Sequence, residues 1–207
     1  MKNIHTHSKI MKKSLFLFLL IQILFASWSF AQNSTLDLEQ INQDRLSLNS
    51  NGMFILGGWA ITNLAIGGIG MTQTNGRLKY FHQMNAMWNT VNLGIAGFGY
   101  YGLHNSSTNI SLSETVREFH NFENILLFNA GLDVGYMAIG AYLWERGLRK
   151  ESDRLVGYGQ SMIVQGGFLF TFDVILYLLS KNQSRPLMES LENIQFTGTA
   201  LSVTIPF

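Results

Sequence analysis

Between Phe81 and Asn92 the chain reads FHQMNAMWNTVN, and inside this otherwise apolar run it carries His82, Asn85, Asn89 and Asn92 at spacings of three, four and three. At about 100° per residue these four positions share one stripe of a helix. Amides and an imidazole so aligned can bond across helices, hold a polar ligand or an ion, or relay protons. Other apolar runs offer partners: Trp59 and Asn63 in the first, Asn129, Asp133 and Tyr136 in the third, Gln165 and Asp173 in the fourth. The two acids carry the most information. An ionised carboxylate near the centre of a bilayer costs about 2.5 kcal/mol or more, so Asp133 must be protonated, paired or beside water. The candidate buried site is therefore Asn63, His82, Asn85, Asn89, Asn92, Asn129, Asp133, Tyr136, Gln165 and Asp173.

The elements that would position these residues are four apolar blocks over 53–71, 80–103, 124–144 and 155–179. Each is about twenty residues or longer, enough for a helix rising 1.5 Å per residue to cross ~30 Å of hydrocarbon. The chain is 47% hydrophobic and 13% charged, whereas a soluble domain is about one quarter charged. The expected fold is all-α, a four-helix transmembrane bundle, with its polar stripes turned inward because lipid cannot satisfy them. Counted along the helices, Asn63, Asn92, Asp133 and Asp173 fall about 10 to 16 Å below one interface and form one layer. His82, Asn85 and Gln160 fall in a second layer toward the other side, near Arg154 and Glu145.

The first 31 residues read as a signal peptide: Lys2, Lys9, Lys12 and Lys13 precede an apolar run, and Ser29-Phe30-Ala31 gives a small-x-small cleavage site. An uncleaved anchor is the competing reading, and either one exports the chain from Gln32 onward. Residues 32–51 are expected as an extracytoplasmic amphipathic segment lying on the membrane surface, 52–180 as the transmembrane domain, and 181–207 as an extracytoplasmic tail. The tail ends in FTGTALSVTIPF, whose alternation has a strand period, so a short extended stretch is expected there. Arg77, Lys79, Arg146, Arg149, Lys150 and Arg154 gather in the first and third connections, which the positive-inside rule makes cytoplasmic. Both termini then lie outside, in the inner membrane of a bacterium.

An offset of 73 residues aligns Asn51, Gly58 and Ala65-Ile66-Gly67 with Asn124, Gly131 and Ala138-Ile139-Gly140. Two tandem αα-hairpin repeats in parallel orientation would produce this pattern; chance matching of Gly- and Ala-rich helices would as well. The stretches NGMFILGGWAITNLAIGGIG, YFHQMNAMWNTVN and RLVGYGQSMIVQGGFLFTFD resemble an uncharacterised family of small multi-pass bacterial membrane proteins that carry a leader. The likeness covers roughly residues 40–180. It implies a four-helix membrane protein and assigns no catalytic or ligand residue.

No cysteine is present, which excludes disulfides, thiolate catalysis and cysteine-ligated metals. No basic stripe interleaved with aromatics marks a nucleic-acid interface. A bis-His haem would need two histidines at one depth, but His82 lies some 30 Å from His104 and His120; no cofactor and no metal site is expected. The lipid bilayer is the expected partner, and a homo-oligomer or a second membrane protein is compatible with the chain. The expected role is a structural, assembly or small-ligand-binding membrane component built around the polar seam. The alternatives are a proton- or cation-coupled permease using Asp133 and Asp173, and a membrane-embedded enzyme with His82, Asn85, Arg154 and Glu145 around a cytoplasmic cleft.

Overall fold

The computed structural model of the chain describes residues 37–192, 194–196 and 201–203. The leader expected over 1–31 lies outside the described residues. Four helices make up the fold: α1 (Leu38–Gln73), α2 (Gly76–His104), α3 (Leu112–Arg149) and α4 (Asp153–Glu192). Two short strands follow, β1 (Ile194–Phe196) and β2 (Leu201–Val203), paired antiparallel with Ile194 opposite Val203. Both strands lie within the tail for which a short extended stretch was expected.

Each helix begins and ends where local chemistry allows. Asp37 caps α1 by accepting from the backbone N–H groups of Glu39 and Gln40, both at 3.1 Å. Ser111 and Glu114 form a reciprocal capping box at the start of α3: the Ser111 hydroxyl accepts from the Glu114 N–H, and the Glu114 carboxylate accepts from the Ser111 N–H at 3.0 Å. The α1–α2 connection is only Thr74 and Asn75, and it closes because Gly76 adopts a φ of +58°. A side chain there would be strained, and its Cβ would meet the Asp153 carboxylate at 2.9 Å.

Short connections make α1 with α2, and α3 with α4, two antiparallel hairpins, while α2 and α4 run parallel to one another. α4 touches all three other helices; α2 and α3 do not pack against each other. The 73-residue repeat has a structural counterpart. Asn42, Ala60 and Gly67 of α1 are buried, as are their equivalents Thr115, Asp133 and Gly140 of α3. Gly67 and Gly140 each sit against the backbone of the next helix: a Cβ on either would lie 2.8 Å from a carbonyl oxygen, of His82 and of Gly159 respectively.

The interior is polar and the exterior apolar. Asn42, Asn85, Asn89, Asn92, Glu123, Asp133, Gln165 and Asp173 are buried, whereas Phe54, Ile61, Met87, Phe98, Phe128 and Leu178 are exposed, Phe98 at 83%. That outer surface is compatible with contact with a lipid bilayer. Three helices, α1, α3 and α4, are long and apolar enough to cross a membrane. α2, with 29 residues, has the length, but its stripe of Asn85, Asn89 and Asn92 and its basic first turns lower its mean hydropathy.

At 36 to 40 residues, α1, α3 and α4 are about 54 to 60 Å long, well over the ~30 Å of hydrocarbon. The surplus projects at the end of the bundle that carries both termini of the helical region. The amphipathic segment expected to lie on the surface is instead the opening of α1, continuous with the apolar run, and the first part of the expected tail, 181–192, continues α4 through Pro186. The Asn42 amide donates to the Thr115 hydroxyl at 2.8 Å, and Arg45 lies 3.9 Å from Glu118. Burial pushes the Arg45 guanidinium pKa down, and the Glu118 charge opposes that shift. Glu123 accepts from the Ser180 and Ser184 hydroxyls at 3.3 and 3.0 Å and pairs with Lys181 at 3.0 Å; the hydrogen bond to Glu123 raises the pKa of Lys181.

Candidate functional site: a carboxyl-lined cavity between α2 and α3

The gap left where α2 and α3 fail to pack is a cavity of about 200 Å³. α2 contributes Trp88, Val91, Asn92 and Ile95; α3 contributes Asn129, Leu132, Asp133 and Tyr136; α4 floors it with Leu169, Phe172 and Asp173, and α1 reaches it through Leu56. The spacings explain the arrangement. Asn129, Asp133 and Tyr136 advance by four and three residues, so helical periodicity turns all three toward the gap.

Asp133 is 3% exposed and Asp173 6%. The two carboxyl groups are near neighbours on α3 and α4. No group donates to Oδ2 of Asp133, and among the described residues neither acid has a basic side chain at ion-pair distance. Two carboxylates so close, without a cation, repel; a proton held between them or a cation brought into the cavity removes the repulsion. The Trp88 ring meets the Tyr136 ring edge-on at 4.8 Å and bridges the two otherwise separate walls.

The amide stripe forms a second, connected cluster. Trp59 Nε1 donates to Gln165 Oε1 at 3.0 Å, and Gln165 Nε2 donates to Asn85 Oδ1. Asn92 Nδ2 donates to Asn89 Oδ1 at 3.4 Å, Asn89 Nδ2 to the Asn85 carbonyl at 2.8 Å, and Asn85 Nδ2 to the Asn63 carbonyl at 3.1 Å. A chain of amides therefore runs from the cavity wall at Asn92 into the α1–α2–α4 interior. The Trp59 ring lies flat on Phe168 at 3.7 Å and fixes the far end of that chain.

Of the ten residues expected from sequence, Asn92, Asn129, Asp133, Tyr136 and Asp173 line the cavity, and Asn85, Asn89 and Gln165 form the amide chain. Asn63, placed by depth in the layer of the acids, instead folds its amide onto the Trp59 carbonyl at 2.9 Å and joins Asn85. His82 stands apart from both clusters: it packs against the Phe81 ring edge, and its Nδ1 has no partner. His82, Asn85, Arg154 and Glu145 do not converge. Arg154 lies over the Tyr158 ring, and Glu145 pairs with Arg149 at 2.6 Å.

Trp88 and Phe172 of the cavity wall were not singled out as site residues by sequence, although each shares a helical face with an expected residue, Trp88 with Asn92 and Phe172 with Gln165. The Glu123 cluster was missed as well; an acid followed 57 and 61 residues later by two serines leaves no local signal. Comparison with curated proteins and with solved structures returns no match. Residues 55–174, a stretch that includes every residue lining the cavity, match a family of unknown function, DUF6992, and the chain belongs to that family.

Proposed function

We propose that the protein is a membrane-embedded binding component whose cavity takes a small cationic ligand against the Asp133–Asp173 pair. The observation that carries this reading is the pair itself: two buried carboxyls face each other in a void with no basic side chain beside them. Packing alone does not call for acids, and a buried unpartnered carboxylate oxygen is costly. A cation occupying the void supplies the missing partner and displaces the proton the pair otherwise holds.

The reading extends to location. The bundle is proposed to sit in a bacterial inner membrane, delivered by the leader over 1–31, with both termini extracytoplasmic. Arg77, Lys79, Arg146, Arg149, Lys150 and Arg154 cluster at the end of the bundle that carries the two short connections, which supports that orientation. A cation-coupled transport role is the second reading. It is favoured by the cavity walls belonging to different hairpins, which could rock about α4 to open the gap.

The test is thermal unfolding of the full chain in maltoside micelles against a panel of monovalent cations and alkylammonium ions. A ligand at a hundred times its Kd adds about 2.7 kcal/mol of stability. At least one cation is expected to raise the melting temperature of the wild type by several degrees and to leave Asp133→Asn and Asp173→Asn unmoved. A panel in which no cation separates wild type from these variants contradicts the reading.

A further inference from the structure

The cavity's route of entry and the chemistry of its walls narrow the cation. Trp88 and Val91 on one side, and Leu132 and Tyr136 on the other, stand where the α2 and α3 backbones stay apart, so the gap faces sideways rather than along the bundle axis. Val91, Ile95 and Leu132 at its mouth are exposed, at 63%, 54% and 40%, on the same apolar surface that faces lipid. Trp88, Tyr136 and Phe172 line the same void as the two acids. Asp133, 3% exposed, lines the void, and its Oδ2 is buried with no donor. Among the described residues no third carboxylate or imidazole joins the pair, so the oxygen-rich shell that a divalent ion needs is not there.

We infer that the cavity is a lateral port for the ammonium head of an amphipathic organic cation, whose apolar tail stays in the bilayer between α2 and α3. Acids beside aromatic faces are the combination that holds alkylammonium groups. A void of about 200 Å³ is roughly the space of seven waters, enough for a small head group and too little for a long tail. A hydrated inorganic cation would gain nothing from an apolar mouth. This inference rests on the cation-binding reading above and adds to it the ligand class and the path.

The experiment compares dodecyltrimethylammonium, dodecanol, tetramethylammonium and sodium for binding to the full chain in maltoside micelles, with circular dichroism and melting curves confirming that each variant folds. Dodecyltrimethylammonium is expected to bind at least tenfold more tightly than tetramethylammonium, and Asp133→Asn to lose at least tenfold. Leu132→Trp narrows the mouth and spares the acids; it is expected to erase the advantage conferred by the tail, so that dodecyltrimethylammonium binds no more tightly than tetramethylammonium. Dodecanol binding as tightly as the ammonium would overturn the inference by showing a merely apolar groove. Sodium or tetramethylammonium binding as tightly as the amphiphile would overturn the lateral port while leaving the cation site standing. Loss of all cation binding would bring down both.

Discussion

Asp133 and Asp173 line one cavity, and their surroundings decide how substitutions behave. An Asn at either position keeps the shape and polarity of the carboxyl and cannot ionise, so Asp133→Asn is expected to change stability by less than about 1 kcal/mol. Asp133→Ala instead leaves Asp173 buried without a partner and is expected to cost about 2 kcal/mol, read as a lowered unfolding midpoint in micelles. Glu123 gives the complementary case. Its carboxylate satisfies Ser180, Ser184 and Lys181 together, so Glu123→Ala strands the buried Ser180 hydroxyl, leaves Ser184 only the Lys181 carbonyl at 3.3 Å, and is expected to cost about 2 kcal/mol as well. Lys181→Ala should cost much less, because that side chain is 48% exposed and solvent screens the pair.

The stripe of amides on α2 was legible because helical spacing fixes direction, and lipid offers buried amides nothing. Its partners were legible only in part. Depth along a helix places Asn63 level with the acids, but its amide folds back onto the Trp59 carbonyl of its own helix, and only its backbone carbonyl meets Asn85; distance along an axis does not reveal which way a side chain points.

The same limit applies to whole helices. The opening of α1 looked like a separate surface element because its hydropathy drops before Gly52, yet nothing between Leu38 and Met53 breaks a helix. Hydropathy reports the solvent around a segment, not where its backbone stops. Capping residues report the stops, and the Ser111–Glu114 box is one that acid can undo. The backbone and hydroxyl hydrogen bonds from Ser111 hold the Glu114 carboxyl below its ordinary value of 4.5. A depressed folded-state pKa contributes stability above the unfolded value, and that contribution is lost as pH falls through the folded one. Protection factors for amide hydrogen exchange over residues 112–117, corrected for the intrinsic rate at each pH, are therefore expected to fall below about pH 4.5, and Glu114→Gln is expected to remove that fall. At the repeat glycines the constraint is steric. Gly67→Leu and Gly140→Leu should each push apart the two helices of one hairpin, lowering the folded yield in membranes, whereas Gly58→Leu, with nothing within 4 Å of its Cβ position, should not.

As a whole the molecule is inverted, amides and acids inside and large aliphatic and aromatic side chains outside. That arrangement is stable only where the surroundings are apolar, which is why four long helices can leave Phe98 and Phe128 uncovered. The absence of cysteine makes single-site labelling straightforward. Spin labels placed singly along 84–98 of α2, in lipid nanodiscs, report collision with oxygen, which dissolves in lipid, and with a water-soluble nickel chelate. Oxygen collisions are predicted to peak at positions 87, 91, 95 and 98 and to fall at 85, 89, 92 and 96, with a helical period throughout. A profile in which 85, 89 and 92 collide with oxygen as freely as 91 and 98 would contradict the inward-facing polar seam on which the cavity depends.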